Sequence, residues 1–255
     1  MTDSLPYPPA LEGRILLDEL NHRIKNELAS VINLVTFKAV WTDSVDAKEE
    51  LSNVVDLLHQ HVQVHSILTM PDGDALVDAG DQLRRLALAM SGSRLGRMNI
   101  RLVLAAETLP LEAERCWRLA LAIYELVTNA VRHACFDGRD GEIKITLMSA
   151  GSWVSCRVTD NGSGAGRIKL GRGLRIVGDL VTSLGGRIER TSGPTRNSFD
   201  LAFPLIPREQ RANRVTAARR PRTGRRVRTA PPRLVPLANE RPTAMAVRPE
   251  LQIEG

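Results

Sequence analysis

The chain is poor in cysteine: 255 residues hold only Cys116, Cys135 and Cys156, an odd and scattered set. Such a set builds neither a disulfide framework nor a zinc ligand cluster, and it points to a reducing compartment. No apolar run approaches the roughly 18–20 residues that a membrane-spanning helix needs. The N-terminal segment has no basic stretch leading into an apolar one, so no secretory signal is expected and the expected location is the cytoplasm. A phosphate-cradling G-x-x-x-x-G-K-[ST] loop is also missing, which excludes a P-loop nucleotide site. Internal repeats are absent.

What is present is a near-neutral body followed by a basic tail. Residues 1–206 carry 23 Lys+Arg against 25 Asp+Glu, whereas residues 207–255 carry 12 Arg, no Lys, 4 acids and 7 of the 14 prolines. A tail of that composition has little apolar surface to offset chain entropy, so disorder is expected over 207–255. Contact with nucleic acid or an anionic surface is the functional alternative to a merely solvated extension. The chain as a whole is 43% hydrophobic, enough to bury a sizeable core.

Two rhythms divide that body. Leu17, Leu20, Ile24, Leu28, Val31 and Val35 recur at helical spacing within residues 11–41. After a polar break at residues 42–46, Ala47, Leu51, Val54, Leu58, His61, His65 and Leu68 form the stripe of a second helix. These make an antiparallel hairpin over 11–70, preceded by a short extension at 1–10. Alone it would expose its seam, so pairing into a four-helix bundle, and hence a homodimer, is expected. Beyond Pro71-Asp72-Gly73-Asp74 the pattern changes. Helices are expected near 80–90, 111–134 and 174–184, with strands at 98–104, 142–148, 153–159, 187–191 and 198–203. The resulting fold class is α+β: the hairpin, then over 71–206 an α/β sandwich with helices on one face, then the tail.

Several residues stand out chemically. His22 lies about 160–200° around the helix from Leu20 and Ile24, so it faces away from the seam, sharing its face with Asp18 and Asn26. A solvent-facing imidazole on a stiff helix suits a phosphoryl acceptor, since its neutral ring nitrogen is nucleophilic near pH 7. A plain surface histidine is the bland alternative. His61 and His65 are spaced to clip a metal but sit on the stripe expected to be buried, without a third ligand nearby.

Farther on, Glu125, Asn129 and Arg132 share one face of an otherwise apolar helix. Burying a carboxylate and an amide without partners costs several kcal/mol, so such a face points to a polar cavity. An amide oxygen can bind Mg²⁺, a carboxylate can orient a nucleophile or a metal-bound water, and an arginine can meet phosphate. Asp160-Asn161-Gly162-Ser163-Gly164-Ala165-Gly166 ends a strand, and its fixed carboxylate can accept from an exocyclic amine such as adenine's. Gly171-Arg172-Gly173-Leu174 opens a helix whose free N–H groups suit phosphates.

Taken in order, these segments resemble a bacterial sensor histidine kinase of the subgroup whose phosphoacceptor box reads H-R-x-K-N, here His22-Arg23-Ile24-Lys25-Asn26. Residues 125–133 resemble the N box, 160–164 the G1 box and 171–177 the G2 box of a GHKL-type ATP-binding domain. Ser198-Phe199-Asp200-Leu201-Ala202-Phe203-Pro204 resembles that domain's last strand. The resemblance spans residues 11–206. It implies an ATP-dependent protein-histidine autokinase that phosphorylates His22 and passes the phosphoryl group to a response-regulator aspartate. By the same similarity Asn129 holds Mg²⁺, with Glu125 a second candidate ligand, and Asp160 binds adenine. Arg132, His133, Gly162, Gly164, Gly171, Gly173 and Leu174 complete the ATP site. Trp153 is followed by Val154 and Ser155, which separates the chain from the sister HWE subgroup.

The departures shape the expectations. Only four residues separate Gly166 from Gly171, a short lid from which ATP should exchange fast. The general base stays open among Asp18, Glu19 and Glu125, and Asn26 is a candidate for positioning water in a reverse phosphatase reaction. With no sensory domain expected ahead of the hairpin, input is expected from a separate sensor protein, from the tail, or not at all. The competing readings are a phosphotransfer or docking module with a decayed ATP site, an anti-sigma-type serine kinase, and a nucleic-acid binder working through the tail.

Overall fold

The computed structural model describes residues 9–219 except 72, 96–97, 134–135, 137–139, 164–171 and 194. Gly164, Gly171, the expected lid, Cys135 and residues 1–8 and 220–255 lie outside that set, as does the side chain of Asp18.

Helices α1 (Pro9–Val40) and α2 (Val45–Ile67) form the expected hairpin. Ser44 caps α2, its hydroxyl accepting from the Ala47 N–H at 3.3 Å. On α1, Ile32 and Ala39 are buried with Ile24, Leu28 and Val35 partly covered, whereas Leu16, Leu20, Val31, Leu34 and Trp41 stay exposed. At about 100° per residue those five exposed positions, Trp41 being the residue just past the helix, fall within roughly 80° of one another, so an apolar stripe runs down the helix uncovered. One expectation for α2 is corrected: His61 is exposed, not buried. Neither α1 nor the elements packed on the C-terminal half of α2 cover its whole circumference, and His61 and Val54 fall outside the covered arc. No group of three or more His, Cys, Asp or Glu that could hold a metal exists among the described residues.

At its C-terminal end α2 is built into the main core. Val64 is buried there, Gln82 donates to the Ile67 carbonyl at 3.0 Å and the Trp117 indole to the Leu68 carbonyl at 2.8 Å. These donors satisfy carbonyls that a helix end leaves open.

Next come β1 (Leu76–Asp78), α3 (Ala79–Met90), a π-helical turn (Ser91–Leu95), β2 (Ile100–Ala106), β3 (Pro110–Glu112) and α4 (Ala113–His133). They are followed by β4 (Gly141–Ala150), β5 (Trp153–Asp160), α5 (Arg172–Ser183), β6 (Arg187–Ser192), β7 (Asn197–Pro204) and α6 (Pro207–Arg219). Five strands form one sheet in the order β2-β4-β5-β7-β6, parallel only between β2 and β4. β1 and β3 make a separate antiparallel pair. Strict alternation explains the layering: Ile143, Ile145 and Leu147, then Val154, Cys156 and Val158, then Phe199, Leu201 and Phe203 are buried together. Leu119, Ile123 and Leu126 of α4 complete that layer, each fully buried aliphatic side chain contributing about 1.5–3 kcal/mol. The other face of the sheet is polar, with Arg101–Glu142 and Arg157–Asp200 ion pairs. Gly185, at φ +72°, ends α5 in the left-handed conformation, and the Gly186 N–H returns to the Val181 carbonyl at 2.9 Å.

The tail expectation needs a second correction, because its first thirteen residues form α6. The cause is Glu209, which is fully buried. Its Oε1 accepts from the Glu112 N–H at 2.9 Å and from Arg115 Nε at 3.0 Å, and its Oε2 accepts from the Ile206 N–H at 3.0 Å. Arg115 in turn donates to the carbonyls of Leu184 and Pro204 and lies 5.5 Å from the Phe203 ring centre. Arg208 reaches the Asp74 carbonyl at 2.7 Å and Asn213 the Pro110 carbonyl at 2.9 Å. One acid among arginines, invisible in average composition, thus anchors the helix. Removing one partner of a buried, hydrogen-bonded ion pair costs about 3–5 kcal/mol. Glu209→Ala should therefore lose about that much in urea unfolding, whereas Arg214→Ala on the exposed side of α6 should stay within about 0.5 kcal/mol of the parent.

Candidate nucleotide and phosphoacceptor sites

The polarity of α4 locates the first site. Arg115, near its N-terminus, bonds the carbonyls that close α5 and β7, so the far half of α4 lies at the opposite end of the sheet. There β5 ends at Asp160 and α5 begins at Arg172. In that half Leu126, Val127, Ala130 and Val131 are buried, while Glu125 and Asn129 are partly exposed and Arg132 and His133 exposed. The helical period thus turns the polar set away from the core, as expected.

Glu125 faces the first turn of α5. A Cβ placed on Gly173 would lie 2.9 Å from Glu125 Oε2, so the missing side chain at Gly173 is what admits the carboxylate. A carboxylate at that position also meets the positive end of the α5 dipole. Leu174, the next residue, packs against the core instead.

Asp160 is 6% exposed. Its Oδ1 accepts from the Gly162 N–H at 3.1 Å and from Asn197 Nδ2 at 2.9 Å. Both hydrogen bonds fall on Oδ1, which leaves Oδ2 as the acceptor for anything that docks. Burial pushes the carboxyl above its ordinary range, opposed by the bonds from Asn197 and Gly162 and by the Arg190 charge. Asn161 fixes the strand end, its Oδ1 accepting from the Glu142 N–H at 2.7 Å and its Nδ2 donating to the Asp140 carbonyl at 3.0 Å. Asn197, directly opposite Asp160 in the β5–β7 register, carries no signal in the sequence that would single it out. Its partner lies 37 residues away, and only strand pairing brings the two together.

The second site lies on the hairpin. His22 is exposed, and Asn26, one turn on, is exposed as well. Glu19, a candidate base, is bonded to Arg23 at 2.8 Å, which raises the arginine's pKa. At 1.5 Å per residue His22 stands about 27 Å from the end of α1. The antiparallel partner helix reaches that height near Val64, the residue that enters the core.

The raised pKa of Asp160 carries a stability consequence. Between its unfolded value near 3.8 and its raised folded value, the native state binds more protons, so stability falls as pH rises through that interval. Asp160→Asn keeps an oxygen for Gly162 and Asn197 and removes the buried charge. Its thermal midpoint without ligand, followed by circular dichroism, should exceed the parent's at pH 7, with the gap narrowing as pH falls through that interval and closed near pH 3.8.

A family model described as "Histidine kinase" matches residues 19–93, and one described as "Histidine kinase-like ATPase domain" matches residues 94–202. Blue-light-activated histidine kinase 2 of Erythrobacter litoralis is 28% identical over 203 residues, covering 74% of this chain and 57% of that protein. Sensor histidine kinase PdtaS of Mycobacterium tuberculosis is 30% identical over 187 residues, covering 69% of this chain and 37% of that protein. The chain therefore spans between about a third and three fifths of the length of these curated relatives. Among solved structures, the histidine kinase domain of an Erythrobacter litoralis blue-light activated histidine kinase aligns over 80% of this chain and 96% of that one, at 26% identity and a TM-score of 0.49. With both segments matched in sequence order, the chain belongs to the bacterial sensor histidine kinases with a GHKL-type ATPase domain.

Proposed function

We propose that the chain is an ATP-dependent protein-histidine autokinase, phosphorylated on His22 and passing the phosphoryl group to an aspartate of a response-regulator receiver domain. The observation that carries this reading is the exposed His22 on a rigid helix followed, on the same chain, by a histidine kinase-like ATPase domain. On this reading the hairpin over 11–70 is the phosphoacceptor segment and residues 71–206 are the ATP-binding domain.

The chain's own residues supply three actions. Asp160, with Oδ2 unused, takes the adenine amine and holds one end of the nucleotide. Arg132 and the first turn of α5 at Gly173 and Leu174 meet the phosphates with charge and free N–H groups, with His133 beside them. At His22 a neutral ring nitrogen forms a bond to the γ-phosphorus as the bond to the departing ADP oxygen breaks, and the ring's N–H proton passes to a base. Glu125 suits that task or the orientation of a water. Asn129 and Glu125 are oxygen donors of the kind Mg²⁺ takes and would hold it there. Bound there, Mg²⁺ neutralises charge on the triphosphate. Positioning and charge neutralisation account for most of the acceleration in phosphoryl transfer.

The exposed stripe of Leu16, Leu20, Val31, Leu34 and Trp41 supports a homodimer formed through the hairpin. No helix among the described residues is long and apolar enough to cross a membrane.

Incubation with γ-labelled ATP tests the reading. The parent should acquire acid-labile, alkali-stable label and His22→Ala none, while both bind ATP alike. Label that survives in His22→Ala, or that is alkali-labile, refutes it. Gly173→Ala, whose methyl displaces only the flexible end of Glu125, should fold normally and lose phosphorylation about tenfold or more.

A further inference from the structure

We propose that Asn197 is a second reader of the nucleotide base: its Oδ1 accepts one amine hydrogen of adenine while Asp160 Oδ2 accepts the other. This rests on the ATP reading above and assigns a specificity role to a residue outside the five segments that carry the family resemblance.

Asn197 is 4% exposed, and its Oδ1 is buried without a hydrogen-bond partner. The orientation of the amide is fixed by its surroundings. Nδ2 donates to Asp160 Oδ1 at 2.9 Å and lies 3.4 Å from the Gly162 carbonyl, so both neighbours on that side are acceptors. Turning the amide over would set its carbonyl against a carboxylate and a second carbonyl. Oδ1 is thereby held away from them and left orphaned. A buried acceptor without a donor is costly, and the cost is recovered when a ligand brings an N–H.

Asp160 and Asn197 are direct partners across β5 and β7, and both project from the buried face of the sheet. The pair presents two acceptors, Asp160 Oδ2 and Asn197 Oδ1, on either side of a bond that locks them together. An exocyclic amine has two hydrogens and matches both. A keto oxygen in the same place would face two acceptors, so the pair selects a 6-amino over a 6-keto purine.

Calorimetric titration with ATP, N6-methyl-ATP, purine riboside triphosphate (no amine) and inosine triphosphate tests this. For the parent, affinity should fall in two steps, about fivefold to tenfold for N6-methyl-ATP and further for purine riboside triphosphate, with inosine triphosphate weakest. Asn197→Leu, nearly the same size, keeps any steric penalty but loses the acceptor. Its preference for ATP over N6-methyl-ATP should shrink about fivefold or more, while its affinity for purine riboside triphosphate stays within about twofold of the parent. An unchanged preference, or equal losses for all four nucleotides, overturns the proposal. If the variant does not fold, the parent series decides alone: equal binding of ATP and N6-methyl-ATP overturns it. A parent that binds none of the four refutes the kinase reading instead.

Discussion

The architecture depends on the two-sidedness of α4. Ten of its residues, from Ala113 to Val131, are buried, and they bring the sheet, α3 and α5 onto one core. The same helix must carry its polar residues somewhere, and the helical period sends Glu125, Asn129 and Arg132 to the edge where β5 ends and α5 begins. Arg115 at the other end decides which edge that is, by tying α4 to the last carbonyls of α5 and β7. Packing and polarity together turn a hydrophobic helix into a positioning device.

Two buried carboxylates show how burial can serve opposite purposes. Glu209 is surrounded by donors on both oxygens, so its charge is spent inside the fold and fixes α6. Asp160 has donors on one oxygen only, and burial pushes its pKa up. The first is a structural anchor; the second keeps an unfilled acceptor at a site edge. The difference lies in hydrogen-bond saturation and not in depth, since both are nearly out of reach of water.

Much of this architecture is legible in the residues themselves. Periodicity of 3.6 marks α1, α2 and α4, and alternation marks β4, β5 and β7, because each buries one face against a single core. Boundaries shift by a residue or two, as with the helix expected at 174–184 and found at Arg172–Ser183. β1 and β3, at three residues each, are too short for any period to register. α6 escapes because its anchor is one side chain whose partners, Glu112 and Arg115, lie nearly a hundred residues earlier. Glu125, Asn129 and Asp160 stand out as polar residues on apolar elements. Asn197 does not, since its meaning comes from strand register, and His61 is misplaced because a stripe does not say which of its margins a neighbour will cover.

The circumference of α1 is divided into sectors: one against α2, one greasy and bare, and one bearing His22. A single-residue insertion or deletion between His22 and Ile32 would rotate everything upstream by about 100°. The imidazole would then swing toward the oily flank or the partner helix, with no change in composition. Spacing along this stretch is thus under a constraint separate from residue identity, and indels there are far less tolerable than point substitutions.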